Sequence, residues 1–208
     1  MLLDEELLSK VKSYVKGFMS NYDPSHDWTH IERVVNLAQY IQEQTPGTDR
    51  DTVTLCALLH DVGDKKYIKP GDDPTTQIHK ALIDLGAPET LASKIQTICL
   101  GVSYSSEIKD PNKVINLIQQ YPELAVVQDA DRLDAIGAVG IGRAFAFGGA
   151  KNRPLSQTME HFEEKFVHLA SMMKTDAGKK LAVERTRRIH LMQEWWAEET
   201  APAVNGHS

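Results

Sequence analysis

The feature that most constrains this chain is an apolar segment, residues 53–59, that runs directly into His60 and Asp61. Val53, Cys56 and His60 fall on one face at helical spacing, which predicts a helix buried in a core. Burying an imidazole and a carboxylate there without partners would cost on the order of several kcal/mol. A divalent cation satisfies both groups at once, so the segment predicts a metal site at the end of a core helix.

The pairing of a histidine with an aspartate is weak support by itself. It occurs twice, at His26-Asp27 and His60-Asp61, in a chain with eight histidines. A single buried histidine is also more often a hydrogen-bonded core residue than a metal ligand. The metal interpretation therefore depends on further ligands on other buried helical faces.

The length and charge of the chain narrow the class of partner. Its 208 residues are predicted to form a single domain, residues 1–200, with a flexible tail at 201–208. The net charge is -6 and both signs are interspersed, which argues against duplex nucleic acid as a partner. A small anionic substrate is compatible with this charge, because a local cluster of lysine and arginine can outweigh the overall sign. We expect a monomer or a homodimer.

Cysteine usage and hydropathy indicate an intracellular, soluble protein. Cys56 and Cys99 are the only cysteines, and both lie in apolar helical segments. The N-terminal residues turn acidic at once and lack the basic and apolar regions of a signal peptide. No apolar run approaches about 20 residues, so we expect no membrane span and a cytoplasmic location.

Apolar residues recur at helical spacing through most of the chain, and no segment has a convincing strand pattern. The fold class is therefore predicted to be all-α. Besides the central helix, helices are expected at residues 4–20, 75–85, 88–100, 113–119, 157–174 and 177–199. A helix at 123–137 is expected to continue with a kink beyond Gly140, and residues 101–106 are expected to form a polar loop.

Further candidate ligands lie on two other helical faces. His30 shares an apolar face with Val34, and Asp131 lies at helical spacing from Val127. Together with the His60-Asp61 pair they offer two imidazoles and two carboxylates from three helices. Such a mixed set suits Mn²⁺, Fe²⁺, Co²⁺, Ni²⁺ or Zn²⁺, and Mg²⁺ is also compatible.

Two alternatives for Asp131 stay open at this point. Its carboxylate could form an ion pair with Arg132 or Arg143 instead of binding metal. Asp134 lies about one turn further along on nearly the same face. Periodicity alone cannot separate Asp134 from Asp131.

These histidines and aspartates resemble the H…HD…D signature of the HD-domain phosphohydrolase superfamily. Residues 30–34, H-I-E-R-V, are similar to the motif around its first histidine, and residues 130–133, A-D-R-L, to the motif around its last aspartate. The resemblance implies an all-α HD-domain bundle that binds one or two divalent ions and hydrolyses phosphate esters. The metal ligands that it implies are His30, His60, Asp61 and Asp131.

Longer segments resemble one compact branch of this superfamily. The resemblance covers residues 5–195 and is carried by residues 25–30, 59–64, 128–138, 140–145 and 161–165. The branch consists of small stand-alone hydrolases, including bacterial metal-dependent nucleotide pyrophosphohydrolases. It implies cleavage of a nucleoside triphosphate between its α and β phosphates, giving a monophosphate and pyrophosphate.

A single ion is expected rather than two. HD enzymes with two irons, including the oxygenases of this fold, have two additional histidines between the HD pair and the last aspartate. Here His79 is the only histidine between Asp61 and Asp131. One histidine does not supply two ligands, so the sequence predicts a mononuclear centre, with Mn²⁺ as the expected ion, and argues against oxygenase chemistry.

Residues beside the ligands are candidates for catalysis. Asp64 lies about one helical turn from the His60-Asp61 pair and could orient or deprotonate a water molecule; a helix cap or an ion pair with Lys65 is the alternative. His26 and Asp27 lie one turn before the first ligand and could contact a phosphate or hydrogen-bond to a ligand; helix capping is the alternative for Asp27. The residues that we expect to act in catalysis are Asp64, Asp61 and His26.

Positive side chains near the metal would suit a di- or triphosphate better than a monophosphate. The candidates are Lys65, Lys66 and Arg143, although Lys66 is better explained as a solvated surface lysine. Asp27 and Ser103 are further candidates for contacts with the substrate. We therefore expect a metal-dependent phosphohydrolase that acts on nucleotides. The alternatives are a 5′-nucleotidase-like phosphomonoesterase, a non-catalytic nucleotide or metal sensor, and a helical scaffold without metal.

Overall fold

The computed structural model describes residues 4–20, 22–63 and 73–202, and all regular structure within these ranges is helical. The α-helices are α1 Glu5–Met19, α2 Trp28–Gln42, α3 Arg50–Leu59, α4 Gln77–Asp84, α5 Glu89–Leu100, α6 Tyr104–Lys109, α7 Pro111–Gln120, α8 Glu123–Asp134, α9 Gly137–Ala150, α10 Leu155–Glu164 and α11 Asp176–Thr200. A 3₁₀ helix, Phe166–Met172, lies between α10 and α11. The all-α prediction is confirmed. Residues 203–208 of the predicted tail lie outside the described residues.

The central helix α3 is enclosed by its neighbours, because apolar residues occupy every one of its faces. All of residues 52–59 are buried, and α3 contacts α1, α2, α5 and α8. A helix that is apolar all round is stable only inside a core. The helix ends at Leu59 inside this core, so the next residue, His60, is also buried.

Aspartate side chains fix the start of four of the described helices. Asp4, Asp27, Asp49 and Asp110 each accept a hydrogen bond from a first-turn N–H, of α1, α2, α3 and α7 respectively. Such N–H groups have no partner within their own helix. Asp27 accepts from the backbone N–H of His30 at 3.0 Å, so this cap sets where α2 begins and where His30 lies.

A bend of 70° separates α8 from α9. Gly137 adopts φ 74°, which glycine tolerates without strain, and a side chain at Gly140 would collide with the carbonyl of Ala135. The bend carries α9 across the end of α8, towards the side on which Asp131 lies. Only when joined do these two helices have the length and apolar composition of a membrane span; no single helix among the described residues has both.

Two segments differ from the helices predicted from periodicity. The polar loop expected at 101–106 instead begins α6, and the helix expected at 157–174 ends at Glu164 and continues as the 3₁₀ helix. Short helices such as α6 depend on tertiary contacts. Glu107 supplies them here, because it forms ion pairs with Arg132 of α8 and with Lys174, the latter at 2.8 Å.

Asp129 joins α8 to the start of α11. Its carboxylate accepts hydrogen bonds of 2.7–3.1 Å from the N–H groups of Lys174 and Thr175 and from the Thr175 hydroxyl. Burial raises the pKa of Asp129 despite these hydrogen bonds. Gly178, in the first turn of α11, lies so close that a Cβ atom there would overlap Asp129 Oδ2.

We predict that Gly178→Ala lowers the free energy of unfolding by about 1–3 kcal/mol, because the added methyl group meets a fixed carboxylate. Gly17→Ala is the matched control, since Gly17 is exposed in α1 with open space around its Cα. This change is expected to raise the free energy of unfolding by about 0.5–1 kcal/mol. Urea denaturation followed by circular dichroism measures both values. Stabilisation by both alanines would contradict the close approach of Asp129 and Gly178.

Candidate active site

Side-chain atoms suited to metal binding converge from three helices. His30 Nε2, His60 Nε2 and a carboxylate oxygen of Asp131 all lie within 4.8 Å of one another. Asp131 Oδ1 is 3.7 Å from His30 Nε2 and 3.6 Å from His60 Nε2. His30 lies in the first turn of α2, His60 directly follows α3, and Asp131 belongs to α8. The structure therefore brings together residues that are far apart in sequence.

Asp61 completes this group through both of its oxygens. Oδ2 lies 3.3 Å from His30 Nε2, and Oδ1 lies 3.5 Å from His60 Nε2. Directly after Asp61 and Val62 the chain turns at Gly63, whose φ is 88°. All four residues expected to bind metal thus lie side by side, and we call them the ligand cluster.

The ligand cluster contains buried polar atoms without a hydrogen bond among the described residues. They are His30 Nε2, His60 Nε2 and Asp61 Oδ2, although buried polar atoms nearly always have a partner. Bonds of about 2.0–2.2 Å from one ion to nitrogen and oxygen would place neighbouring ligand atoms about 3 to 3.5 Å apart. The separations of 3.3–3.7 Å are close to this spacing, so the cluster fits a divalent ion.

The other nitrogen of each imidazole is held by an acceptor. His60 Nδ1 lies 2.8 Å from the carbonyl oxygen of Ala57, and His30 Nδ1 lies 2.8 Å from Asp134 Oδ2. Because these oxygens only accept hydrogen bonds, Nδ1 carries the hydrogen in each neutral ring. Nε2 then keeps its lone pair, which is the arrangement that a metal-binding histidine requires.

The pKa values of the ligand cluster are shifted in the directions that favour a positive charge among its carboxylates. Burial opposes a positive charge on His60, but the carboxylates of Asp61 and Asp131 outweigh it and raise the pKa of His60 to about 10. Burial also opposes ionisation of the two carboxylates, yet the histidines hold the pKa of Asp61 and of Asp131 well below the usual value. Without an ion the cluster therefore retains a proton that a divalent cation would displace.

Asp134 is fully buried and orients His30 instead of joining the cluster. It accepts hydrogen bonds from His30 Nδ1, from Arg33 Nε at 2.7 Å and from Arg143 at 3.0 Å. Burial disfavours its charge, but hydrogen bonds from His30 and Arg33 and the charge of Arg143 lower the pKa of Asp134 to about 2. Geometry thus separates Asp131 from Asp134, which periodicity could not do.

A cavity of about 550 Å³ opens beside the ligand cluster, within the size range of small-molecule sites. One side carries positive and aromatic side chains from α9, α10 and the residues that follow each of them. We call this side the cationic wall; it consists of Arg143, Phe147, Arg153, His161 and Lys165. Among the described residues, the side near α4 and α5 has no charged side chain. We call it the neutral wall; it consists of Val62, Ile78, Gln96, Cys99 and Leu100.

The ligand cluster has neighbours on the side of each wall. On one side, the ring of His26 is 6.0 Å from the ring of His30 and 5.9 Å from that of Phe147 in the cationic wall. On the other side, Gly63 lies against α4, since a Cβ atom there would be 3.2 Å from Gln77 Oε1. A ligand bound at the cluster can therefore extend towards both walls.

The remaining predicted site residues have different positions. His26, Ser103 and Arg143 line the cavity. Arg143 also donates to the carbonyl of Ser25 at 2.7 Å, so its guanidinium is held in place by the protein. Asp27 caps α2 and is not among the lining residues. Asp64, Lys65 and Lys66 lie outside the described residues, and the contacts of all these side chains with substrate stay predictions.

Sequence analysis missed several cations on the cavity. Arg153 lies over the ring of Phe147, 5.9 Å from its centre, and Lys165 lies over the ring of Tyr104 at 4.6 Å. Lys109 of α6 also lines the cavity. A signal was present in the sequence, because Thr158, His161 and Lys165 follow one another at intervals of three and four residues, on one helical face.

Comparisons with known proteins agree with the geometry. The model of the HD domain family matches residues 27–136, a segment that contains the whole ligand cluster and ends at the bend before α9. The Bacillus subtilis protein YpgQ is 34% identical over 180 residues, which is 85% of each chain.

Two solved structures illustrate the structural similarity. The crystal structure of Bacillus subtilis YpgQ in complex with ADP has a TM-score of 0.76 at 32% identity, covering 93% of this chain and 97% of YpgQ. A crystal structure of an HD-superfamily hydrolase from Bacillus thuringiensis has a TM-score of 0.69 at 31% identity, covering 95% of this chain and 99% of that one. The similarity therefore extends well beyond the matched family segment.

We predict that metal binding releases protons and strengthens as the pH rises. The pKa of His60, about 10, means that the metal-free protein holds this proton at neutral pH, whereas a ligand nitrogen must be unprotonated. Affinity for Mn²⁺ is expected to rise about tenfold per pH unit for each proton released, and to level off above the pKa of His60. Calorimetric titration in two buffers of different ionisation enthalpy counts the protons.

The control for this experiment is His79→Gln, because His79 pairs with Glu89 at the surface. It should bind Mn²⁺ with the wild-type pH dependence, while His60→Gln should bind weakly at every pH. Stoichiometric Mn²⁺ binding at pH 7 without any proton release would contradict the prediction.

Proposed function

The chain belongs to the HD domain family, and from this premise we propose that it is a metal-dependent phosphohydrolase acting on nucleotides. Its proposed reaction is hydrolysis of a nucleoside triphosphate between the α and β phosphates, which yields a nucleoside monophosphate and pyrophosphate. The proposed resident ion is a single Mn²⁺, which mixed imidazole and carboxylate donors suit. The same donors accommodate Mg²⁺, Co²⁺, Ni²⁺, Fe²⁺ or Zn²⁺.

The observation that carries this proposal is that the unpartnered ligand atoms lie at a cavity lined by both the cationic and the neutral wall. A substrate whose reacting phosphorus lies at the ligand cluster extends a charged part along one wall and an uncharged part along the other. In a nucleoside triphosphate, the α phosphate is the group that joins the nucleoside to the two further phosphates. The arrangement therefore favours attack at the α phosphorus.

The same observation weighs against a phosphomonoesterase. A nucleoside monophosphate has no phosphate beyond the one that reacts, so it would leave the cationic wall without a partner. Bacillus subtilis YpgQ has been crystallised with ADP, which supports a nucleotide as the ligand of this chain. A nucleotide combines the two chemistries, uncharged and anionic, that the two walls offer.

The ligand cluster and its neighbours have distinct proposed roles. A divalent ion held there supplies charge neutralisation at the phosphate and a water molecule of lowered pKa. Asp134 holds the ring of His30 in the orientation that binds the ion. The Ser25 hydroxyl lies 2.6 Å from Nδ1 of His26 and so steadies this imidazole on the cavity wall, where we propose that it contacts the reacting phosphate. Asp64 is proposed to orient or deprotonate the water.

The cationic wall is proposed to stabilise the leaving pyrophosphate. Negative charge builds up on the departing oxygen as the bond to the α phosphorus breaks. Catalysis of phosphoryl transfer consists mainly of positioning and electrostatic stabilisation. Arg143 and Arg153 both lie on this wall, and hydrogen bonds to the carbonyl of Ser25 and to Asp134 fix the Arg143 guanidinium before substrate arrives.

We predict that Asp61→Ala abolishes pyrophosphate release from nucleoside triphosphates, because it removes one of the four ligands. Asp84→Ala is the matched control, since Asp84 is exposed at the end of α4 and distant in sequence from the cluster. Both variants and the wild type are incubated with Mn²⁺ and a panel of nucleotides, and pyrophosphate and orthophosphate are assayed separately. Metal content is measured in parallel.

The products discriminate between the candidate functions. Pyrophosphate from triphosphates supports the proposal, whereas orthophosphate from monophosphates supports a 5′-nucleotidase-like enzyme. Nucleotide binding without any product supports a sensor. Equal product from wild type and Asp61→Ala would remove the catalytic assignment, and absence of stoichiometric metal from the wild type would favour a scaffold.

We predict that Arg153→Gln raises the KM for a triphosphate about tenfold or more, as expected for loss of a hydrogen bond to a charged group. Its effect on binding of the monophosphate product should be much smaller, because that product does not reach along the cationic wall. Arg188→Gln, on the exposed surface of α11, is the control and should change neither value. Equal weakening of tri- and monophosphate binding by Arg153→Gln would contradict the proposed orientation.

A further inference from the structure

Gln96 is the one hydrogen-bonding side chain that we assign to the neutral wall, and it is 6% exposed. Its neighbours on this wall, Val62, Ile78, Cys99 and Leu100, are apolar or weakly polar. A carboxamide in such surroundings normally has both of its ends hydrogen-bonded. Gln96 has only one end satisfied; buried Gln128 is also half-satisfied, but of the two only Gln96 lines the cavity.

The hydrogen bond accepted by the carbonyl oxygen of Gln96 fixes the orientation of its side-chain amide. Oε1 accepts a hydrogen bond of 3.0 Å from the backbone N–H of His79, in the first turn of α4. This N–H has no partner within its own helix, and Thr76 at the N-cap position provides no side-chain hydrogen bond. A flipped amide would point its NH₂ group at this donor, so the observed orientation is the only one that satisfies α4.

The other end of Gln96 is a buried donor without an acceptor. Among the residues that the structure describes, none offers Nε2 a hydrogen-bond acceptor. A buried donor without a hydrogen bond raises the free energy of the folded protein. An acceptor atom on a bound molecule would form the missing hydrogen bond and remove this cost. Because Oε1 is already engaged, Gln96 can offer such a molecule a donor and nothing else.

We propose that Gln96 Nε2 donates a hydrogen bond to the nucleobase of the bound substrate and makes Gln96 a specificity-determining residue. This inference rests on the proposed function, which places the nucleoside along the neutral wall. The apolar side chains of that wall suit the flat face of a base better than a sugar, whose hydroxyl groups each need a polar partner. A donor of fixed orientation discriminates between bases by the position of their acceptor atoms.

The test compares wild type, Gln96→Met and Gln96→Glu in the Mn²⁺-loaded protein. Methionine removes the donor at similar size and without a charge, and glutamate keeps an oxygen for the N–H of His79. KM and kcat are measured for triphosphates of the four bases. Inorganic tripolyphosphate, which has phosphates but no nucleoside, is measured as a competitive inhibitor. Equilibrium binding of α,β-methylene nucleoside triphosphates is measured separately by calorimetry.

We expect Gln96→Met to weaken binding of the preferred nucleotide about tenfold or more, mainly through KM, and to reduce the differences among the four bases. The inhibition constant of tripolyphosphate should stay within about twofold, since it has no atom that reaches Gln96. A partly unfolded variant cannot produce this pattern, because loss of folded protein lowers the active fraction equally for every ligand. Gln96→Glu should show the same loss of discrimination with α4 still capped.

Equal weakening across the four bases would place the contact on the sugar and overturn the inference. Unchanged KM values with a lowered Tm would assign Gln96 to capping α4 alone and would also overturn it. The proposed function is tested separately by wild-type product analysis. If the wild type releases no pyrophosphate but binds the methylene analogues in a Gln96-dependent way, the proposed reaction fails while the inference about Gln96 stands.

Discussion

The Asp134 carboxylate holds three helices in one arrangement, and the candidate site depends on it. From α8 it accepts hydrogen bonds from His30 and Arg33 of α2 and from Arg143 of α9. The Asp134 carboxylate thus orients the imidazole of His30, which belongs to the ligand cluster, and fixes the guanidinium of Arg143 in the cavity wall. Such a carboxylate stays ionised inside the protein because hydrogen bonds from His30 and Arg33 and the charge of Arg143 offset the cost of burial.

Three aspartates on α8 show how neighbouring positions on one helix acquire different roles. Asp129 is satisfied by the start of α11, and Asp134 is satisfied by α2 and α9. Asp131, between them, faces two imidazoles whose Nε2 atoms have no hydrogen-bond partner among the described residues. The protein therefore stabilises two of these carboxylates by itself and leaves the third in a cluster that can hold a cation.

Helical spacing and family resemblance located His30 and His60, which are buried, and Asp131, which is partly exposed, because periodicity reports which side of a helix is apolar. Periodicity does not report which other helix that side meets. The contact between Arg33 and Asp134 spans 101 residues, and the ion pairs that form α6 join Glu107 to two distant segments, so neither was predictable from local sequence. The sequence pattern did not predict the neutral wall, since a single glutamine in an apolar helix resembles a residue that caps a neighbouring helix.

In the proposed function, the bend between α8 and α9 divides recognition of the two halves of a nucleotide between two stretches of chain. The matched family segment ends at residue 136 and holds the ligand cluster and the neutral wall, while the whole cationic wall comes from residue 143 onward. Preference for phosphate number and preference for base can therefore diverge separately among relatives. Gene lineages that replace the helices after the bend would inherit the same ligand cluster, and with it the proposed hydrolytic chemistry, with a different tolerance for anionic groups.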